Sequence, residues 1–131
     1  MTELTTYPST VRVCPVVTYR VIPHADDDVF IMAAYCGGRA IAVVAASLYL
    51  EVVEFIGTHP AQRRQGVARA LLAAAREHTG LRLDFDGGER SADGRAFSRA
   101  VGLKRGPCRR YLSGADMEAH LTDLLTAINA R

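Results

Sequence analysis

The sequence predicts a mixed α/β (α+β) fold: a mainly antiparallel sheet flanked by helices, with an additional C-terminal helix. Three observations carry this. Four apolar, β-branched runs crowd the N-terminal half, separated by short turn signals. Two stretches with apolar residues at helical spacing follow, at 64–78 and 115–130. Shorter strand-like segments lie between them, so strands and helices alternate in the second half.

Residues 11–22 (VRVCPVVTYRVI) are apolar and β-branched. Pro15 has no N–H to donate, which predicts an edge strand or two short strands split there. Pro23 to Asp28 is a polar turn. Val29–Cys36 and Ala40–Tyr49 read as strands flanking Gly37-Gly38-Arg39, a hairpin turn. Leu50–Thr58 is the fourth strand. In the helix that follows, Val67, Leu71, Ala74, Ala75 and His78 form one stripe, and Thr79-Gly80 ends it. Leu81–Phe85 alternates like a strand, and 86–89 is a loop. Ser91 or Asp93 caps a short helix through Val101. Leu103–Leu112 holds a strand or two around Pro107. Ser113 or Asp116 opens the last helix, whose stripe is Met117, Leu121, Leu124, Leu125 and Ile128.

A length of 131 residues suits one domain, 1–131, with 114–131 as a helical extension. The 49% hydrophobic and 23% charged content predicts a soluble globular chain. No apolar run approaches the roughly 18 residues that span a bilayer, so no membrane partner is expected. Met1–Thr10 lacks a basic n-region and an apolar h-region, so it does not read as a signal peptide. Cys14, Cys36 and Cys108 are odd in number and spaced like neither a disulfide framework nor a zinc site. No metal is expected, and a reducing cytoplasm is the simplest compartment. A net charge of +2 is too small to imply a nucleic-acid partner.

The chemistry concentrates at Arg63-Arg64-Gln65-Gly66-Val67-Ala68, where a strand feeds a short basic turn that opens a helix. A helix N-terminus has backbone N–H groups without intrahelical partners and about half a positive charge, which suits a diphosphate. Gly66 removes the side chain that would block a close backbone approach. Arg63, Arg64 and Arg69 add cationic donors suited to phosphate oxygens.

Arg63-x-x-Gly66-x-Ala68 also resembles the [Gln/Arg]-x-x-Gly-x-[Gly/Ala] motif of the GNAT superfamily, the acyl-CoA-dependent N-acetyltransferases. The wider resemblance runs from Ile56 through Pro60 to Leu72. It implies acetyl-CoA lying across the splayed end of the fourth strand. Backbone groups of Ile56 and Thr58 would hold the pantetheine arm, with Gly57 where strand pairing breaks. The N–H groups from Arg64 through Gln65, Gly66 and Val67 to Ala68 would hold the diphosphate. Ser91 falls where the family often has an asparagine that contacts the cofactor.

Transfer to an amine needs a base for the ammonium proton and an acid for the leaving thiolate. Glu54 shares the strand face of Ile56 by the period of two and is the best base candidate. It reads equally as a solvated carboxylate. Glu51, on the opposite face, is weaker. Asp26, Asp27, Asp28, Asp84 and Asp86 read as solvated carboxylates ahead of binding a cationic acceptor. Phe97-Ser98-Arg99-Ala100-Val101-Gly102-Leu103 resembles the family's Phe-Tyr-x-x-x-Gly-Phe ending, with Ser98 at the position of the acid tyrosine. Either the thiolate leaves without a tyrosine, or Tyr111 or Cys108 substitutes, or catalysis is absent. His59 reads as a surface histidine ahead of a proton relay.

A second departure is the lack of the family's usual two helices between its first and second strands. Only Pro23–Asp28 is present there, so the acceptor side is expected to be open or covered by a partner subunit. The last helix packs on its own sheet or covers a second chain in a homodimer. The residues thus point to an N-acetyltransferase using acetyl-CoA as co-substrate with an unnamed amine. The alternative is a non-catalytic acyl-CoA-binding regulatory module. RNA binding by the arginine run at 104–110 is opposed by the small net charge and the lack of interleaved aromatics.

Overall fold

The computed structural model describes residues 4–8, 16–63, 65–85 and 114–130. Its strands are β1 (Leu4–Pro8), β2 (Val16–Ile22), β3 (Val29–Cys36), β4 (Arg39–Ser47), β5 (Val52–Thr58) and β6 (Asp84–Phe85). The described helices are α1 (Val67–Thr79) and α2 (Gly114–Asn129), with a 3₁₀ turn at Pro60–Gln62. The strands form one sheet in sequence order. Pairing is antiparallel from β1 to β5, while β6 runs parallel to β5 after the crossover through α1.

α1 and α2 cover opposite faces of this sheet. On one face Leu71, Leu72, Ala74 and Ala75 of α1 pack against Tyr19, Met32, Ala34, Val44 and Val53. On the other, Leu121, Leu125 and Ile128 of α2 pack against Ala33, Tyr35, Val43 and Phe55. This explains why β3 and β4 read as near-continuous apolar runs instead of alternating: both faces of the central strands are buried. Asn129 fixes the far end of α2, accepting from the Ala40 N–H at 2.7 Å and donating to the Ala40 carbonyl at 3.1 Å. The last helix therefore packs on its own sheet.

Turns follow the sequence closely. Gly37 and Gly38 have φ of 62° and 81°, the two positive values that a two-residue hairpin turn requires. Gly80 closes α1 in the left-handed region, its N–H donating to the Arg76 carbonyl. At the end of α1, burial and the neighbouring Arg82 hold the Arg76 guanidinium below its usual range, against the pull of Asp84. Pro23–Asp28 joins β2 directly to β3. There the Asp28 N–H donates to Asp26 Oδ1, and the Asp28 carboxylate accepts from Ser47 Oγ and the Tyr49 N–H.

Four expectations need correction. β1 lies in a segment read as a polar terminus; its backbone pairing with β2, from Leu4↔Arg20 to Pro8↔Val16, leaves little side-chain signal. β5 starts at Val52 and not Leu50, because Glu51 turns the chain at φ 56°. β6 starts at Asp84 and not Leu81, because Leu83 sits at φ 53° while fully buried. Cys36 is disulfide-bonded, where the cysteine spacing predicted no disulfide framework. Spacing along the chain does not reveal which cysteines the fold brings together.

One buried group tests the core directly. Tyr35 is 8% exposed, and its hydroxyl is buried without a hydrogen-bond partner. The Arg20 guanidinium stands 5.3 Å over its ring. An unsatisfied buried hydroxyl is a cost, so Tyr35→Phe should leave stability unchanged or raise it by about 1 kcal/mol. A urea melt reads this, and a clear loss would show that the hydroxyl is used.

Candidate functional site

The end of β5 and the start of α1 build the site. Thr58 ends the strand, and its neighbour His59 donates its N–H to the Ile41 carbonyl at 2.8 Å. The His59 Nδ1 accepts from the Ala61 N–H at 3.1 Å and opens the 3₁₀ turn. Through that bond this histidine serves as a cap. Arg63 closes the turn, and Gly66 then adopts φ 84°, ψ 6° as the N-cap of α1.

Among the described residues no side chain caps that N-terminus, and its first turn holds no acidic residue. The first intrahelical donor is the Ala70 N–H, bonded to the Gly66 carbonyl at 3.0 Å. The N–H groups of Val67, Ala68 and Arg69 precede it, so they carry the positive end of the helix dipole. Val67 is buried and anchors the turn, whereas Gly66 and Arg69 are exposed. This arrangement suits an anion.

Other residues singled out from sequence behave differently. Arg63 does not project as an unattached cation. Its Nε donates to the Thr58 carbonyl at 3.0 Å, and its Nη2 meets Glu118 Oε1 of α2 at 2.6 Å. Gln65 is half-buried, with its amide oxygen buried and without a hydrogen-bond partner. Gly57 lies within continuous pairing on its β4 side, facing Val43. Its missing side chain has a packing reason: a Cβ there would stand 2.8 Å from Leu121 Cδ1 of α2. Ile56 pairs Val44 and Thr58 pairs Ala42.

Glu54 falls at a β-bulge. Ala45 faces Phe55 while the next residue, Ala46, faces Val53, so the register steps over Glu54. Val53 packs on the α1 side and Phe55 on the α2 side, although they are two residues apart. Strict alternation is thus interrupted between Val53 and Phe55, where Glu54 lies. Glu54 is half-buried. Glu51 lies in the turn ahead of the strand and not on it.

Asp28 and Asp84 sit at the far end of β5 from Thr58. Asp28 bonds to Ser47 and Tyr49, and Asp84 pairs with Val52 at the start of β5. The Asp84 carboxylate also meets Arg82 Nε at 2.9 Å. A strand rises roughly 3.3 Å per residue, so the length of β5 puts about 20 Å between this end and Thr58. Arg64, Asp86, Ser91, Ser98, Cys108 and Tyr111 lie outside the described residues.

What sequence reasoning missed is α2. Glu118 and Leu121 reach the end of β5, and His120 packs edge-on against Phe55 with ring centroids 4.9 Å apart. The helical stripe announced that α2 packs somewhere, but no local signal names its partner strand. The sheet face opposite α1 is covered by this helix over β4 and β5. Among the described residues, no helix is long and apolar enough to cross a membrane.

Comparison with known proteins gives one match. Neither a curated protein nor a solved structure matches the chain. A family model described as the acetyltransferase (GNAT) family matches residues 3–85, more than half of the chain. The matched region runs from β1 through the N-terminus of α1 to β6. The family generally uses acyl-CoA with an acceptor substrate. With its sheet and crossover helix inside the matched region, this chain belongs to the GNAT acetyltransferase family and has an acyltransferase-type role.

Proposed function

We propose that the chain transfers an acetyl group from acetyl-CoA to an amine. The observation that carries this reading is the uncapped N-terminus of α1, with left-handed Gly66 and no acidic residue in its first turn. Acetyl-CoA, when held there, supplies the acetyl group as an activated thioester. The N–H groups of Val67, Ala68 and Arg69 hold its diphosphate, with Arg64 as a further cationic donor and Ser91 as a further contact. Backbone groups of Ile56 and Thr58 align the pantetheine arm. The Thr58 carbonyl keeps one lone pair beside its bond from Arg63.

Glu54 takes the proton of the acceptor ammonium through a water, which makes the nitrogen lone pair available. Its half-buried place in a bulge suits a group aimed away from the regular ladder. Ser98 holds the place of the acid, with Tyr111 as the residue that returns a proton to sulfur. The thiol of coenzyme A ionises near the ordinary range of thiols, so a weak acid slows transfer without forbidding it.

A second reading is favoured by Ser98 at the tyrosine position: the chain holds acyl-CoA without catalysis, as a regulatory module. Two measurements separate them. Calorimetry with acetyl-CoA tests the site, and no binding at millimolar ligand would sink both readings. Thiol release by the purified protein with a panel of amines tests transfer. Release that depends on added amine supports the enzyme and refutes the silent module; binding without release does the reverse.

A further inference from the structure

We propose that Arg63 is a positioning residue, which ties helix α2 to the turn that aims α1, and does not itself contact the anion. The inference rests on reading the α1 N-terminus as the diphosphate site. It starts from where the donors of Arg63 go. Nε donates to the carbonyl of Thr58, the last residue of β5, at 3.0 Å. Nη2 donates to Glu118 Oε1 on α2 at 2.6 Å. The backbone N–H of Arg63 bonds to the Pro60 carbonyl and closes the 3₁₀ turn. One residue thus joins the end of β5, the lead into α1 and the opposite helix.

A second contact supports the same joint. Leu121 lies three residues beyond Glu118, on the same side of α2 by helical spacing. Its Cδ1 occupies the space beside Gly57, 2.8 Å from where a Cβ would stand. α2 is therefore seated on the backbone next to the carbonyl that Arg63 holds. The ion pair is partly exposed, with side chains 33% and 57% accessible. Such pairs contribute little energy, so the effect of Arg63 is geometric.

The chemistry of the fork gives the test. A planar guanidinium places two N–H donors at fixed angles, whereas an ammonium is a point charge on a flexible stem. A glutamine amide is neutral but also carries two planar N–H donors. Positioning therefore favours Arg63→Gln over Arg63→Lys, and a charge contact with phosphate favours the reverse.

Both full-length variants are titrated with coenzyme A by calorimetry. Hydrogen exchange is followed at the amides of residues 58–63 and in α2. Arg63→Gln should keep its Kd within about threefold of the original, and Arg63→Lys should weaken it about tenfold. Exchange at both places should quicken in Arg63→Lys only. Equal affinities, or tighter binding by the lysine variant, overturn the proposal. Should the unaltered chain bind no coenzyme A, the diphosphate reading fails by itself, and exchange still decides. Faster exchange in Arg63→Lys supports positioning, and equal or reversed rates overturn it.

Discussion

Gly66→Glu should weaken coenzyme A binding about a hundredfold or more, beyond the strain of a side chain in the left-handed region. Gly66 sits at φ 84° as the N-cap of a helix with no other cap. Any L-residue there costs about 1–2 kcal/mol in backbone strain. A glutamate adds a carboxylate beside the N–H groups of Val67, Ala68 and Arg69. That carboxylate is attracted by the same dipole that attracts a phosphate, so it repels the diphosphate and competes for its donors. Gly66→Ala separates the two effects, since it brings the strain without the charge. Calorimetry reads both variants, with circular dichroism to confirm that they fold. Retained affinity in Gly66→Glu would remove the diphosphate from this helix.

Leu71→Ala should cost about 3 kcal/mol of stability, a large part of the 5–15 kcal/mol typical of a domain. Leu71 is fully buried at the centre of the α1 face, packed among Leu72, Ala75 and the β-sheet core. Removing its branched end leaves a cavity that the close-packed Ala and Val neighbours cannot fill. Urea unfolding should show a lower midpoint with an unchanged slope. A loss under about 1 kcal/mol would mean that α1 is not seated as described. The same helix carries the proposed anion site, which couples the two predictions. A ligand at a hundred times its Kd stabilises the folded state by about 2.7 kcal/mol, so coenzyme A should restore most of the lost stability. Failure to restore it, with binding intact, would mean that the ligand does not select the folded state.

Much of this architecture was legible before any coordinates. Gly37-Gly38-Arg39 announced a hairpin turn, and both glycines take positive φ there. The basic turn ending in Gly66 announced a helix start suited to an anion, and α1 begins at the next residue. The apolar stripe of the last helix announced that it buries a face, and it does so on its own sheet. What local pattern did not carry was the long-range partner. Glu54 was placed by strict alternation, which the bulge between Val53 and Phe55 interrupts. Gly57 was read as room for a ligand, yet on one side its room is taken by Leu121. Arg63 was read as a phosphate donor, yet its side-chain donors go to Thr58 and Glu118.

By itself the sequence determined local geometry in this protein: its hairpin turn, the glycine that ends α1 and its family motif. These depend on φ/ψ preference and on periodicity within a few residues, so neighbours along the chain are enough to decide them. Only the tertiary structure decided which sheet face α2 covers, what fills the space beside Gly57 and what Arg63 holds. Arg63 and Glu118 are 55 residues apart. Their contact follows from how two faces of one sheet are divided between two helices, and no pattern within either segment carries that choice.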